Sequence, residues 1–225
     1  HLSIRRQRQM CIRDSNTTGS SNSAFGSNAL NSNTIGTNNT AVGVNSLRSN
    51  TTGSGNSAIG LGALYNNTSG SRNIAIGTNV LSSNVVGNNN SAFGYYALKN
   101  NTANNNAAFG YRALHLNTTG AFNSAFGYRA LVSNTFGKYN NAFGGNALAN
   151  NTTGINNSAF GYKALQNNSI GVSNTAVGHQ SLQSNTTGNY NTSVGINSLN
   201  TNTFGKYNTA VGVNALLYNT TGNNN

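Results

Sequence analysis

Apolar and polar residues recur along this chain at one fixed spacing. Copies of a short block follow one another at a 17-residue step, as from Gly26 to Gly43, and the step from Gly94 to Gly110 is shorter by one. In each block a small or polar residue, then Ala, then Phe, Val or Ile precede this Gly. A Leu follows four residues later, as at Leu30. Such alternation predicts a short β-strand in each copy.

The full block reads N-[ST]-A-[FVI]-G-x-x-A-L-x-x-N-T-x-G-x-x, so Gly and Asn return every few residues. That frequency argues against helix, and Gly at two fixed points indicates corners where the backbone takes positive φ. A strand, two corners and a short period predict coils that stack on one another. We therefore expect an all-β fold, a parallel β-solenoid (β-roll or β-helix) of about twelve 17-residue coils.

Stacking would place each repeated residue over its copy in the next coil. The Leu residues would then form an apolar spine, and the two Asn of each block would form amide ladders that satisfy the backbone of buried turns. The Phe, Val or Ile position would lie either in the core or on a face that packs against another chain. We expect structural roles of this kind for Gly26, Leu30, Asn39, Gly43, Leu47, Asn208 and Leu216.

A second period, twice as long as the first, overlies it and could pair the blocks into 34-residue units. The third residue of N-T-x-G is Thr in one phase, as at Thr52 and Thr153, and mostly apolar in the other, as at Ile35 and Phe136. Either adjacent coils face different neighbours, or one block forms only half of a larger, flattened coil. The one short block, which ends at Gly110, lacks the turn Gly, and a turn tolerates such a deletion better than a strand does.

Residues 1–15 differ from everything that follows. They contain the only Met, Cys and acidic residue of the chain (Met10, Cys11 and Asp14) and four of its 12 Lys and Arg residues. Residues 10–15 resemble the in-frame translation of a transposon-end sequencing adaptor, and the segment lacks the apolar run of a signal peptide. We therefore assign residues 1–15 as a non-native leader and residues 16–225 as the repeat β-solenoid. We expect the solenoid to be truncated at both ends, because neither end carries a capping sequence.

The repeats contain almost none of the residue types that catalysis and metal binding require. Residues 16–225 carry eight Lys or Arg and no Asp or Glu, so their net charge is +8. Only His115 and His179 titrate near neutrality, and no carboxylate is present to orient either of them. Calcium or magnesium would need carboxylate ligands. We predict no enzymatic activity, no metal site and no cofactor.

The blocks NSAFG at residues 22–26 and NTAVG at residues 39–43 resemble the head repeats of trimeric autotransporter adhesins. The resemblance covers nearly all of residues 16–225, although the block is longer than the usual head repeat and adds an N-T-T-G turn. It implies a left-handed parallel β-roll that trimerises and binds host matrix or other cells. The same repeats are also similar to those of phage and giant-virus fibre proteins, which would imply a fibre shaft.

Two sets of residues are candidates for binding or modification. A repeated ring and cation surface could stack on sugars or hold anionic polymers, although Lys and Arg also serve as a solvated edge that discourages aggregation. This candidate ligand-binding stripe comprises Tyr95, Tyr111, Arg112, Tyr128, Arg129, Tyr162 and Lys163. The candidate glycosylation sites head N-T-T turns and are Asn16, Asn50, Asn117, Asn151, Asn185 and Asn219.

A thin core makes association between chains an expected supplement. Each coil offers one Leu, two small residues and one Phe, Val or Ile, so we expect a homotrimer or a fibre.

The leading hypothesis is a structural and adhesive surface fibre, an adhesin head or stalk, which is extracellular on a cell surface or a virion. A host surface, a glycan or matrix would be its ligand, and we do not expect nucleic acid.

Three alternatives remain open at this point. They are a phage or viral tail-fibre shaft, an ice-binding solenoid built on the Thr columns, and a surface for polyanions or glycans. We expect no membrane insertion in this segment, because no run of about 18 apolar residues is present.

Overall fold

The computed structural model describes residues 15–225. The chain forms two compact units, one up to Asn106 and one from Ala107 onward. The predicted leader, residues 1–15, lies outside the described residues except for Ser15. Within the described range the chain contains short parallel strands and no helix, which confirms the all-β prediction.

Every coil contributes one strand of three residues. The strands of the first unit are β1 (Ser23–Phe25), β2 (Thr40–Val42), β3 (Ser57–Ile59), β4 (Ile74–Ile76) and β5 (Ser91–Phe93). The strands of the second unit are β6 (Ala107–Phe109), β7 (Ser124–Phe126), β8 (Asn141–Phe143), β9 (Ser158–Phe160), β10 (Thr175–Val177), β11 (Thr192–Val194) and β12 (Thr209–Val211).

The register of these strands decides how many residues one coil holds. In the first unit Ala41 of β2 pairs with Ala58 of β3, and in the second unit Ala142 of β8 pairs with Ala159 of β9. Each partner is the same position of the next block, so one strand and one coil correspond to one block. The predicted parallel β-solenoid of 17-residue coils is therefore confirmed, and the alternative of a flattened 34-residue coil is wrong.

The interior of each coil is filled by the Leu and by small residues. The Leu that lies four residues after each strand Gly is at most 1% exposed in the coils from Leu30 to Leu199, which confirms the predicted spine. The strand Ala lies beside this spine, and almost all its copies are fully buried. Leu216, at the same position of its coil, is 39% exposed and differs from the others in this respect.

These leucines adopt an unexpected backbone conformation. All twelve have positive φ, from 46° at Leu47 to 52° at Leu64. L-residues other than Gly and Asn rarely enter this left-handed region, at a cost of about 1–2 kcal/mol per residue. The apolar side chain is held inside the coil, so its burial offsets the backbone strain.

The residue that follows the strand Ala points away from the interior. Alternation along the strand buries Ala142 and turns its neighbour Phe143 outward. The same holds for Phe25, which is the most exposed member of its column. Of the two places predicted for the Phe, Val or Ile position, the structure shows the outward-facing one.

The two glycines of the block are required for different reasons. Gly26 and Gly43 of the strand triplet take φ of 135° and 125°, as predicted. The turn glycines do not have positive φ, and that part of the prediction is wrong. A Cβ on the turn glycine Gly137 would lie only 2.5 Å from the carbonyl oxygen of Gly154 in the next coil, so close stacking excludes a side chain there.

The short coil changes the hydrogen bonding around its missing glycine. The carbonyl of Ala103 takes the place of the turn-glycine carbonyl and accepts bonds from the side chains of Asn90 and Asn101. The Oδ1 atom of Asn101 accepts from the Nδ2 of Asn106 at 3.1 Å. One buried oxygen, Oδ1 of Asn84, is left without a hydrogen-bond donor. The deletion thus falls in a turn, as expected, and its cost is one unsatisfied amide oxygen.

Inserting one Gly between Ala103 and Asn104 should stabilise the protein. The insertion restores a 17-residue coil and supplies a donor to Asn84 Oδ1, a gain of about 1 kcal/mol. Urea unfolding would measure the change. The matched control is a Gly inserted after Thr153, which lengthens a complete coil and should destabilise the protein. Equal destabilisation by both insertions would contradict this account of the short coil.

Replacing a spine leucine should be costly, whereas replacing an exposed leucine should not. Leu148→Ala removes a fully buried side chain and should lower the free energy of unfolding by about 2–5 kcal/mol. Leu116→Ala, in the same unit, removes a side chain that is 41% exposed and should change it by less than about 1 kcal/mol. Similar losses in thermal or urea unfolding for the two variants would argue against the spine.

Candidate functional site

The turn asparagines form the first of two amide ladders. In the second unit Asn134 donates its Nδ2 to the Oδ1 of Asn117 at 2.7 Å, and Asn151 donates to Asn134 at 2.8 Å. Each Nδ2 also donates to the carbonyl of the turn glycine three residues later, as from Asn151 to Gly154 at 3.1 Å. The ladder closes each turn and joins it to the previous coil.

The asparagine that precedes each strand forms the second ladder. The Oδ1 of Asn39 accepts from both the backbone N–H and the side chain of Asn56, at 2.9 and 3.1 Å. Asn208 continues the same pattern in the second unit, where it donates to Asn191 at 3.1 Å. Both ladders are buried, so the predicted amide ladders are confirmed.

The two ladders meet at the turn-glycine carbonyl. The oxygen of Gly154 accepts from Asn151 within its own turn, at 3.1 Å, and from Asn140 of the second ladder, at 2.8 Å. One backbone oxygen thereby ties both ladders to one corner of the coil.

The candidate glycosylation sites belong to the first ladder. The side chains of Asn50, Asn117, Asn151 and Asn185 are fully buried, and those of Asn16 and Asn219 are half-buried. The Nδ2 atom that would carry a glycan already donates two hydrogen bonds in the folded coil, as Asn50 does to Asn33 and Gly53. Their placement does not favour modification of the folded protein.

The candidate ligand-binding stripe is divided into short stacks. In the second unit the Tyr111 and Tyr128 rings stack at 5.4 Å, and Tyr162 stacks on His179 at 5.5 Å. Gly145 occupies the position between these two pairs, so no ring links them. Tyr95 lies in the first unit. Within the second unit the predicted stripe therefore consists of two ring pairs, and in the first unit the Tyr95 ring lies 4.0 Å from that of Tyr96.

Cations lie over some of these rings. The guanidinium of Arg112 lies 5.4 Å from the Tyr111 ring centre, and the Lys163 ammonium lies 5.2 Å from that of Tyr162. These distances are typical of cation–π contacts. Arg129 is exposed on the coil that carries Tyr128. The predicted pairing of rings and cations is present at Tyr111 and Tyr162.

A longer aromatic stack lies on the outward face of the strands. Phe109, Phe126, Phe143 and Phe160 stack in sequence, with ring centres 4.5, 4.7 and 5.1 Å apart. The sequence predicts that these residues share one column, but not whether the column faces inward or outward. Two further ring pairs were missed because their block position carries different residue types from coil to coil. These pairs are Phe122 with Tyr139 and Tyr190 with Tyr207.

The Thr at the second position of N-T-x-G forms a column whose hydroxyl groups are engaged. Thr34 donates its Oγ1 to the carbonyl of Thr51 at 2.9 Å, and Thr135 donates to Thr152 at 3.1 Å. These bonds join successive coils, so the hydroxyls of this column are not a free array for ordered water, which weakens the ice-binding alternative.

No cluster of metal-binding side chains is found within residues 15–225. This range holds no group of three His, Cys, Asp or Glu side chains that could bind a metal ion. His115 is half-buried, and His179 is exposed against Tyr162. In the same range no helix is long and apolar enough to cross a membrane.

Comparisons with protein-family models, curated proteins and solved structures find no match. The fold and the ladders define the chain as a parallel β-solenoid protein with Asn-lined corners.

Replacing one ladder amide by a carboxylate should destabilise the protein strongly. Asn151→Asp places a buried charge against the oxygens of Asn134 and Gly154 and should cost more than about 3 kcal/mol at neutral pH. Burial raises the pKa of such a carboxyl, so the folded state binds its proton more tightly and the loss should shrink as the pH falls.

The matched control for this substitution is its neighbour. Asn150 is exposed, so Asn150→Asp should change stability little at any pH. Urea unfolding at several pH values compares the two variants, and a pH-independent loss for Asn151→Asp would contradict the buried ladder.

Proposed function

We propose that this chain is a segment of a structural and adhesive surface fibre without catalytic activity. The observation that carries the proposal is the outward column of apolar side chains along the strands, which a solenoid acting alone does not need. The resemblance to adhesin head repeats and to viral fibre repeats agrees with it. Either source would place the protein outside the cell, on a cell surface or on a virion.

The apolar column supports self-association into a trimer or fibre. Phe143, Phe160 and Val177 occupy successive coils and remain more than a third exposed even though neighbouring rings stack. A partner has to present apolar groups at the spacing of the coils, about 4.8 Å, to pack along the whole column. A second copy of the same chain has that spacing because its coils stack in the same way.

Charge acts against this association and makes it sensitive to salt. Residues 16–225 carry eight cations and no Asp or Glu, so copies of the chain repel one another. Salt screens that repulsion and leaves the apolar contact intact. We therefore expect self-association to strengthen as ionic strength rises.

Removing rings from the column should weaken self-association. The double variant Phe126→Thr/Phe143→Thr should shift the chain toward monomer in sedimentation velocity experiments, with the association constant lowered by about tenfold or more. Thr is tolerated in strands, so the fold should persist, as far-UV circular dichroism can verify.

The control variant removes two exposed rings elsewhere. Phe136 and Phe204 are more than half exposed in the turns, where other coils carry Thr, so Phe136→Thr/Phe204→Thr should leave association unchanged. A wild-type chain that stays monomeric at high concentration and high salt would rule out self-association, as would equal effects of the two double variants.

A further inference from the structure

A polar groove opens on the first unit, away from the residues discussed so far. It has a volume of about 500 Å³ and is lined only by Asn, Ser, Gly and Arg residues of successive coils. Its size lies in the range of pockets for small ligands. The lining offers no apolar or aromatic side chain, so neither an apolar peptide nor a nucleobase has a surface on which to pack.

Hydrogen bonds between coils hold the floor of the groove in place. Side chains of residues that follow the turn glycines here accept the backbone N–H of the preceding coil, as the Ser71 Oγ does from Ser54 at 3.0 Å and the Asn88 Oδ1 from Ser71 at 2.7 Å. These bonds fix the backbone from which the next residue in each coil projects. The groove is therefore preformed, which lowers the entropic cost of binding.

The walls come from a column with left-handed backbone. Asn38, Arg72, Asn89 and Asn105 have φ between 56° and 59° and are exposed. The same column in the second unit carries the stacked pairs Phe122 with Tyr139 and Tyr190 with Tyr207, and Asn156 and Ser173 occupy the positions between these pairs. A wall that is polar over all these coils is thus found in the first unit, whereas aromatic rings interrupt it in the second.

Gly55 leaves an opening in that column. A Cβ built on Gly55 would have the Arg72 Cγ as its nearest heavy atom, at 3.7 Å, so ordinary space exists there for a side chain that the sequence does not provide. The missing side chain leaves one face of Arg72 uncovered toward the groove.

Arg72 is a cation without an acidic counterpart in its surroundings. Residues 15–225 contain no Asp or Glu, so no side chain in that range can neutralise it. A guanidinium presents paired donors that match a carboxylate, and the flanking Asn amides both donate and accept hydrogen bonds. One cation among many neutral hydrogen-bonding groups matches a ligand with one charge and many hydroxyls.

We propose that this groove binds an acidic sugar, with its carboxylate on Arg72 and its hydroxyl groups on the amides of Asn38, Asn89 and Asn105. The inference deepens the adhesive part of the proposed function by naming a ligand class. It does not depend on self-association, because none of these residues belongs to the outward Phe column.

The test measures binding of a uronate-containing oligosaccharide to the full chain by titration calorimetry or NMR. The methyl ester of the same oligosaccharide lacks the charge and should bind at least about tenfold more weakly. Arg72→Gln should cause a similar loss. Inorganic phosphate serves as a second probe, and phosphate binding as strong as that of the uronate would overturn the assignment to a sugar.

Two further variants make the result specific to the groove. Gly55→Asn keeps Arg72 and adds a side chain that other coils carry at the same position with similar φ, so it should fold normally while reducing affinity. Lys206→Gln removes an exposed cation of the second unit and should leave affinity unchanged. Equal losses for Arg72→Gln and Lys206→Gln would show general attraction to positive charge and overturn the proposal.

Sedimentation of Arg72→Gln separates this inference from the proposed function. The variant should self-associate at least as strongly as the wild-type chain, because the Phe column is intact and one repelling cation is removed. Loss of sugar binding with retained association supports the groove, whereas retained sugar binding in both Arg72→Gln and Gly55→Asn refutes it whatever the oligomeric state.

Discussion

The carbonyl oxygen of the turn glycine is the point on which the stacking of coils depends. It accepts one amide from its own turn and one from the second ladder, as Gly154 does from Asn151 and Asn140. A buried amide without a partner costs about 1–3 kcal/mol, so each coil needs its neighbour to satisfy its own corner. That mutual need allows a chain with 6% charged residues and a thin apolar interior to form an ordered structure. Polar groups at the corners and apolar groups along the spine act together, and neither set is sufficient alone.

The tight coil also explains the frequency of left-handed backbone. In one coil of the second unit Tyr139, Asn146 and Leu148 have φ of 57°, 57° and 50°. Asn enters this region at modest cost, whereas Tyr and Leu do so only where the surroundings require it. The hydrogen bonds between coils fix these positions, as between the Leu148 N–H and the Ala164 carbonyl at 3.0 Å. Strain is therefore spread evenly along the solenoid and is not concentrated at one site.

The features that could be predicted from the sequence are those that follow from the repeat period. The fixed spacing of the blocks predicted the short strands, the Leu spine and both Asn ladders, because identical residues in stacked coils meet their own copies. The spacing did not choose between a 17-residue coil and a flattened 34-residue coil, and the strand register makes that choice. The direction of the Phe column was not predictable from period alone. It follows from the interior having room only for Leu148 and small residues such as Ala142, which turns Phe143 outward. Nothing in the sequence indicates the positive φ of the leucines, because Leu is not a residue type associated with that conformation. The groove at Arg72 was missed because it arises from the absence of a side chain at Gly55, in a column without a consensus.

The equal step from coil to coil has a consequence for how such a gene changes. Each new coil forms the same bonds to its predecessor, so an in-frame duplication or loss of one block requires no new packing solution. Recombination between blocks can therefore adjust the reach of the molecule in whole steps, while substitutions in the variable columns diversify its outer surface. The coil that lacks its turn glycine is an exception, because it is not equivalent to the coils on either side of it.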